Sequence, residues 1–223
     1  MDPQILSMLR SGFVTFAALL PIVNPLGAAP IFLSMSADLP GAARRQLARM
    51  VARNAFVLLA AAMLVGSYVL QFFGISMPTV RVAGGLLVTA NGWRLLNSEE
   101  TRDVPSPPAT EAWERELAGR AFFPLTFPLT VGPGSISIAI TLGARVPPRG
   151  MSGLTLFTTD MVAVLFVALT VYLSYRFASR LIAYLGVTGT AVFLRLSAFI
   201  LMCVGVSILW SGIVELLEPL LQR

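Results

Sequence analysis

From Ser11 to Ala37 the chain carries no charged residue, and in the middle of that run stands Leu20-Pro21-Ile22-Val23-Asn24-Pro25-Leu26-Gly27. About 20 apolar residues cross a bilayer as a helix. Yet Asn-Pro is a helix start: Asn caps free N–H groups, and Pro suits the first helical position. A helix that stops and restarts in hydrocarbon leaves backbone donors and acceptors unpaired. Such backbone is tolerated only inside protein or along a polar cavity. The pattern recurs in the uncharged run Ala121–Ala144, at Phe127-Pro128-Leu129-Thr130-Val131-Gly132-Pro133-Gly134-Ser135. Two broken spans at corresponding places in two halves point to a transport site near the bilayer midplane.

Composition places the whole chain in the membrane class. Of 223 residues, 56% are hydrophobic and 12% charged, with a mean hydropathy of +0.80, too apolar for a soluble domain of this size. The net charge of +5 comes entirely from arginines, without a lysine. These flank apolar spans instead of covering one face, which argues against a nucleic-acid partner. The absence of histidine excludes a histidine proton relay and a histidine-ligated metal. No metal or cofactor is expected. Cys203 is the single cysteine, so no internal disulfide forms. The N-terminus lacks the pattern of a cleaved signal peptide, so the first span is expected to act as its own insertion signal. No nucleophile–base pair or phosphate loop is visible, and an enzyme is not expected.

The hydropathy pattern predicts six spans: Gly12–Ser34, Met50–Phe72, Ser76–Leu96, Ala121–Gly143, Gly153–Arg176 and Val187–Glu215. The expected fold is an all-α polytopic membrane protein whose six transmembrane helices form a 3+3 inverted-topology repeat, with helices 1 and 4 broken near the midplane. Residues 1–96 make the first repeat, 97–119 a polar linker and 120–223 the second repeat, within one membrane domain. The linker holds six acids and Ser106-Pro107-Pro108, and Glu111–Gly119 is expected to form one or two helical turns. Ten arginines fall in or beside the linker and the loops after spans one and five, against four on the opposite side, with Arg81 and Arg195 left out as lying within spans. The positive-inside rule therefore puts the linker in the cytoplasm and both termini outside. Each half has an odd number of spans, so the halves run in opposite directions. They also echo each other: Phe73-Gly74-Ile75-Ser76 precedes Arg81, and Leu185-Gly186-Val187-Thr188 precedes Arg195.

In that topology the helices after Asn24 and after Gly132 both start near the midplane. A helix N-terminus carries roughly +0.5 charge and unpaired N–H donors, a setting that suits a carboxylate. Carbonyls around Leu20–Val23 and Leu129–Val131 lose amide partners beside the prolines and can accept from an ammonium group. Gly27, Gly132 and Gly134 leave little bulk, so the site matches a small zwitterion. The candidate substrate-binding residues are Asn24, Pro25, Leu26 and Gly27 with Thr130, Val131, Gly132, Pro133, Gly134 and Ser135. The alternative is that the prolines kink two helices for packing alone. Charged residues within spans are functional candidates: Arg81 and Arg195 as equivalent gates, or as anchors to headgroups, and Asp160 as a partner of Arg81 or a coupling group.

The stretch Pro21-Ile22-Val23-Asn24-Pro25-Leu26-Gly27-Ala28-Ala29-Pro30-Ile31-Phe32-Leu33 resembles the first-span signature of the MarC family of bacterial and archaeal inner-membrane proteins. Phe127-Pro128-Leu129-Thr130-Val131-Gly132-Pro133-Gly134-Ser135-Ile136 is similar to its fourth-span signature, and Arg81-Val82-Ala83-Gly84-Gly85 resembles its third-span motif. The sequence departs from the pattern at Thr130-Val131, where smaller residues are expected. The resemblance implies a six-span transporter of small neutral amino acids of the glycine or alanine type in a prokaryotic inner membrane. A proton or a sodium ion is the candidate coupling ion. Two other readings stay open: an aquaporin-like channel for small polar solutes, and a non-transporting membrane protein formerly linked to antibiotic resistance. The sequence sets no oligomeric state.

Overall fold

A computed structural model describes residues 3–97, 113–144 and 151–221. All regular structure among the described residues is helical. Helix α1 (Pro3–Val23) is followed at once by α2 (Pro25–Met35), then α3 (Gly41–Phe72) and α4 (Met77–Asn97). The second half runs through α5 (Trp113–Arg120), a wide π-type arm (Ala121–Thr130), α6 (Pro133–Gly143), α7 (Met151–Arg176) and α8 (Ala178–Leu221). The turn or two expected at Glu111–Gly119 is α5; most of the linker lies outside the described residues.

Four stretches are long and apolar enough to cross a membrane: Arg10–Met35, Gly41–Phe72, Gly153–Arg176 and Thr188–Glu218. They become five when Leu117–Thr130 and Pro133–Gly143, which meet at 73°, count as one bent span. The stretch expected as the third span forms helix α4, which is not among these apolar stretches. Its 21 residues reach about 31 Å, but Arg81, Asn91, Arg94 and its glycines dilute its hydropathy below that of the others.

Local chemistry explains the limits of these helices. Helix α3 starts well before Met50 because Gly41–Arg53 is rich in Ala and Arg, which are strong helix formers. Ser36 closes α2, its hydroxyl donating to the Phe32 carbonyl at 2.7 Å. The Arg44 guanidinium then donates to the carbonyls of Ser36 (3.0 Å) and Leu39 (3.2 Å), holding the α2–α3 corner. A straight helix of the 44 residues in α8 would measure about 66 Å, twice a bilayer core. It breaks at Gly186, where φ is +66°. Gly74, in the turn between α3 and α4, has φ +67°. Only glycine takes that conformation without steric cost, and both are the turn glycines picked out in the sequence.

The core lies between α1, α2, α3, the arm, α6 and α7, with Leu19, Phe32, Leu47, Val131, Val164 and Val167 among its fully buried side chains. In a bilayer the lipid tails are as apolar as leucine, so helices associate through close packing and small residues. The α4–α8 pair shows this most plainly. Gly85 sits against the backbone of Gly205 and Leu209, Gly92 against Met202, Gly205 against Thr89, and Gly212 against Val82. The glycines are seven residues apart on each helix, which keeps them on one antiparallel seam. Helix α3 packs on α6, α7 and the arm; α1 packs on α7; α2 on α7 and α8; α4 on α6.

Candidate functional site

The first break is a single residue wide. Asn24 has left-handed backbone (φ 44°, ψ 55°) and caps α2, its Oδ1 accepting from the Gly27 N–H at 3.2 Å. Pro25 fills the first helical position, as its sequence predicts. The Asn24 N–H still donates to the Leu20 carbonyl at 2.9 Å, and the Asn24 carbonyl accepts from Ala28 at 3.0 Å. The interruption is therefore bridged by its own residues. Two expectations change. The Leu20 carbonyl is occupied, and the Gly27 and Ala28 amides are already bonded, so the start of α2 offers few donors. Gly27 lacks a side chain because the Asn24 amide fills the space of its Cβ. Pro25 is buried, whereas Leu26 is 44% exposed and faces away from the interior.

The second break is built differently. The arm contains Phe-Pro-Leu-Thr twice in tandem, at 123–126 and 127–130. In each copy the Phe backbone is extended and the Phe-Pro bond is cis. The Thr hydroxyl of each copy then donates to a carbonyl five residues back, Thr126 to Ala121 and Thr130 to Leu125, both at 2.6 Å. The Val131 N–H donates to the Thr126 carbonyl at 2.8 Å. Proline removes donors from this ladder, and threonine hydroxyls replace them. The carbonyls of Leu129 and Thr130 accept no hydrogen bond among the described residues.

Gly132 is extended and caps α6 without a side chain. Its carbonyl accepts from the Ile136 N–H at 3.1 Å and from the Ser135 hydroxyl at 2.9 Å. Pro133 has no N–H, and the amides of Gly134 and Ser135 donate to no other described residue. Gly134 was expected to leave room for a small substrate; a Cβ there would fall inside Val88 of α4, so its smallness serves the α4–α6 contact. Ser137, one turn on, donates to the Val80 carbonyl of α4 at 2.8 Å.

The two broken elements touch crosswise: α1 packs on α6, and α2 on the arm. A polar link that the sequence did not reveal ties them to α7. Tyr175, fully buried, meets Thr130 Oγ1 at 2.7 Å and stacks on Phe32 of α2, ring centroids 4.4 Å apart at 12°. The single Thr130 proton goes to Leu125, so Tyr175 donates. The tandem repeat could have flagged Thr126 as an equivalent of Thr130. Nothing in the sequence could have flagged Tyr175, whose role depends on how α7 packs.

The charged candidates separate. Arg81 forms an ion pair with Glu215 across the α4–α8 seam. Asp160, 4% exposed, accepts at Oδ1 from Thr15 Oγ1 (2.8 Å) and Ser11 Oγ (3.1 Å) of α1. The expected Arg81–Asp160 pair does not form, because α7 turns Asp160 toward α1 while α4 turns Arg81 toward α8. Arg195 is exposed and pairs with no acid among the described residues. Arg120 pairs with Asp38 at 2.9 Å, tying the start of the arm to the α2–α3 corner. Among the described residues no three His, Cys, Asp or Glu side chains gather as a metal site would need.

Residues 9–217 match the model of the MarC family integral membrane protein. The chain is 31% identical over 205 residues to the inner membrane protein MarC of Escherichia coli O157:H7, covering 90% of this chain and 92% of that one. The same values hold for inner membrane protein MarC of Escherichia coli strain K12. No solved structure matches the chain. The chain belongs to the MarC family, and it is an inner-membrane protein of several apolar helices.

Proposed function

We propose that this MarC family protein is a secondary transporter of small neutral amino acids, of the glycine or alanine type, working by alternating access. The observation that carries the reading is the exchange symmetry of its packing. Swap α1–α2 with the arm and α6, α3 with α7, and α4 with α8, and the main set of neighbours maps onto itself. The two left-handed glycines, Gly74 and Gly186, exchange as well. This supports six spans in a 3+3 inverted repeat, the architecture in which a site at the repeat interface opens to either side in turn.

The substrate then lies where the breaks cross. Its carboxylate takes the Gly134 and Ser135 amides at the start of α6, where the helix dipole favours an anion. The Asn24 Nδ2, which bonds no described residue, donates beside it. The ammonium group takes the carbonyls of Leu129 and Thr130. Arg81 and Arg195 guard opposite faces, with both termini outside and the linker in the cytoplasm. Uptake into liposomes holding the purified protein tests the reading. Saturable glycine or alanine uptake is expected. Osmotic water flow without substrate saturation would replace it with the channel, and neither activity with a non-transporting membrane protein.

A further inference from the structure

We propose that Arg49, Arg176 and Arg180, gathered at one end of the α3–α7 pair, form a binding site for the phosphodiester of an anionic phospholipid, with the exposed apolar stripe of α7 beneath them taking an acyl chain. The cluster is built from three helices. Arg176 ends α7, at the border of the apolar stretch Gly153–Arg176. Its Nη1 donates to the Tyr172 hydroxyl, one turn back, at 2.9 Å. Arg49, early in α3, lies within reach of the same hydroxyl, so the start of α3 and the end of α7 meet here. Arg180, in the first turn of α8, joins them through a ring: the Phe177 centroid is 5.4 Å from Arg176 Cζ and 5.5 Å from Arg180 Cζ. All three arginines are exposed. Arg45 and Arg53, exposed as well, stand one turn before and one turn after Arg49 on the same face of α3.

This arrangement concentrates positive charge. Like charges four residues apart on a helix repel, and so do two guanidiniums brought to one neutral phenol oxygen. Each guanidinium carries five N–H donors, of which that oxygen serves few. Among the described residues the two ion pairs join other partners, Arg81 with Glu215 and Arg120 with Asp38. A phosphodiester supplies one negative charge and two acceptor oxygens that match the guanidinium fork. The depth of the cluster selects a lipid. Leu169 and Leu173 of α7, and Phe177 just beyond it, are exposed at four-residue spacing, so an apolar stripe runs out of the span up to the arginines. The Tyr172 and Phe177 rings hold the guanidiniums at the border where amphipathic aromatics settle. A basic pocket between helices at that level suits an anionic head group. Snorkelling alone gives a different expectation: an arginine that only reaches for water accepts zwitterionic head groups equally well.

The full chain in mild detergent tests this by native mass spectrometry and thermal unfolding, with phosphatidylglycerol or phosphatidylcholine added at equal concentration. Phosphatidylglycerol should stay bound and raise the melting temperature; phosphatidylcholine should do neither. Arg49→Gln and Arg176→Gln should each weaken phosphatidylglycerol retention about fivefold, the worth of one arginine at an anionic surface. Arg10→Gln should leave it unchanged, because Arg10 adjoins Ser11, which bonds Asp160 about 24 Å along α7 from Arg176. Arg176→Lys keeps the charge and loses the fork, so its loss should be smaller than that of Arg176→Gln. Inorganic phosphate should neither stabilise the protein nor displace the lipid; if it does both, the site takes a free anion and the lipid assignment falls. Equal retention of the two lipids, or an equal loss in Arg10→Gln, reduces the cluster to unspecific interface charge and overturns the proposal. Indifference of the wild type to phosphatidylglycerol overturns it too, the result expected if acids of the linker already occupy the arginines.

Discussion

Asn24 holds two roles that single substitutions can separate. Its backbone occupies the left-handed region, which asparagine tolerates better than most residues, and its side chain caps α2. Alanine loses both, at about 1 kcal/mol for the cap and about 1–2 kcal/mol for the conformation. Glycine accepts the conformation and costs only a few tenths as a cap. Asn24→Ala should therefore lower thermal stability clearly, and Asn24→Gly hardly at all. Equal losses would mean that the break does not depend on the left-handed turn. Because Asn24→Gly keeps the fold, it also isolates the amide from the backbone. If Nδ2 bonds the substrate carboxylate, calorimetric glycine affinity should fall about tenfold to a hundredfold, the worth of a hydrogen bond to a charged group.

Among the elements, the start of α6 makes the sharpest prediction. The Gly134 Cβ position lies inside Val88, so Gly134→Ala should destabilise through a clash with α4. Val88→Ala should restore most of that loss, and the double mutant should then be more stable than Gly134→Ala alone. Additive losses in a thermal double-mutant cycle would place the strain elsewhere. This contact also marks where the sequence stops being informative. The helix start at Asn24-Pro25, the turns at Gly74 and Gly186, and the short helix before the arm were all legible, because capping and φ > 0 are local requirements. The glycines at the breaks were visible as small residues, but smallness does not say what fills the space. Gly27 makes room for its own cap, and Gly134 for a neighbouring helix. The partners of Arg81 and Asp160 were illegible for the same reason: both lie near one end of the bundle, and only packing decides which helix each side chain faces.

For the whole molecule, orientation in the membrane is the open property that follows most directly from charge. By the positive-inside rule, ten arginines against four are expected to put the linker inside, so reporter fusions after Ser106 and at the C-terminus should give opposite sides. Two cytoplasmic signals would remove both the topology and the inverted repeat. The glycine seam between α4 and α8 bears on a different property. Along it, backbone lies against backbone at Gly85 and Gly205, with the Thr89 hydroxyl the one side-chain atom close to Gly205. Such a joint neither slides nor opens without losing its contacts, so the two helices behave as a stiff keel. Spin labels placed across the keel should report one narrow distance with or without glycine. If the molecule alternates between two states as proposed, labels on α1 and α6, which pack on each other, should report two, with the rocking taking place around the keel.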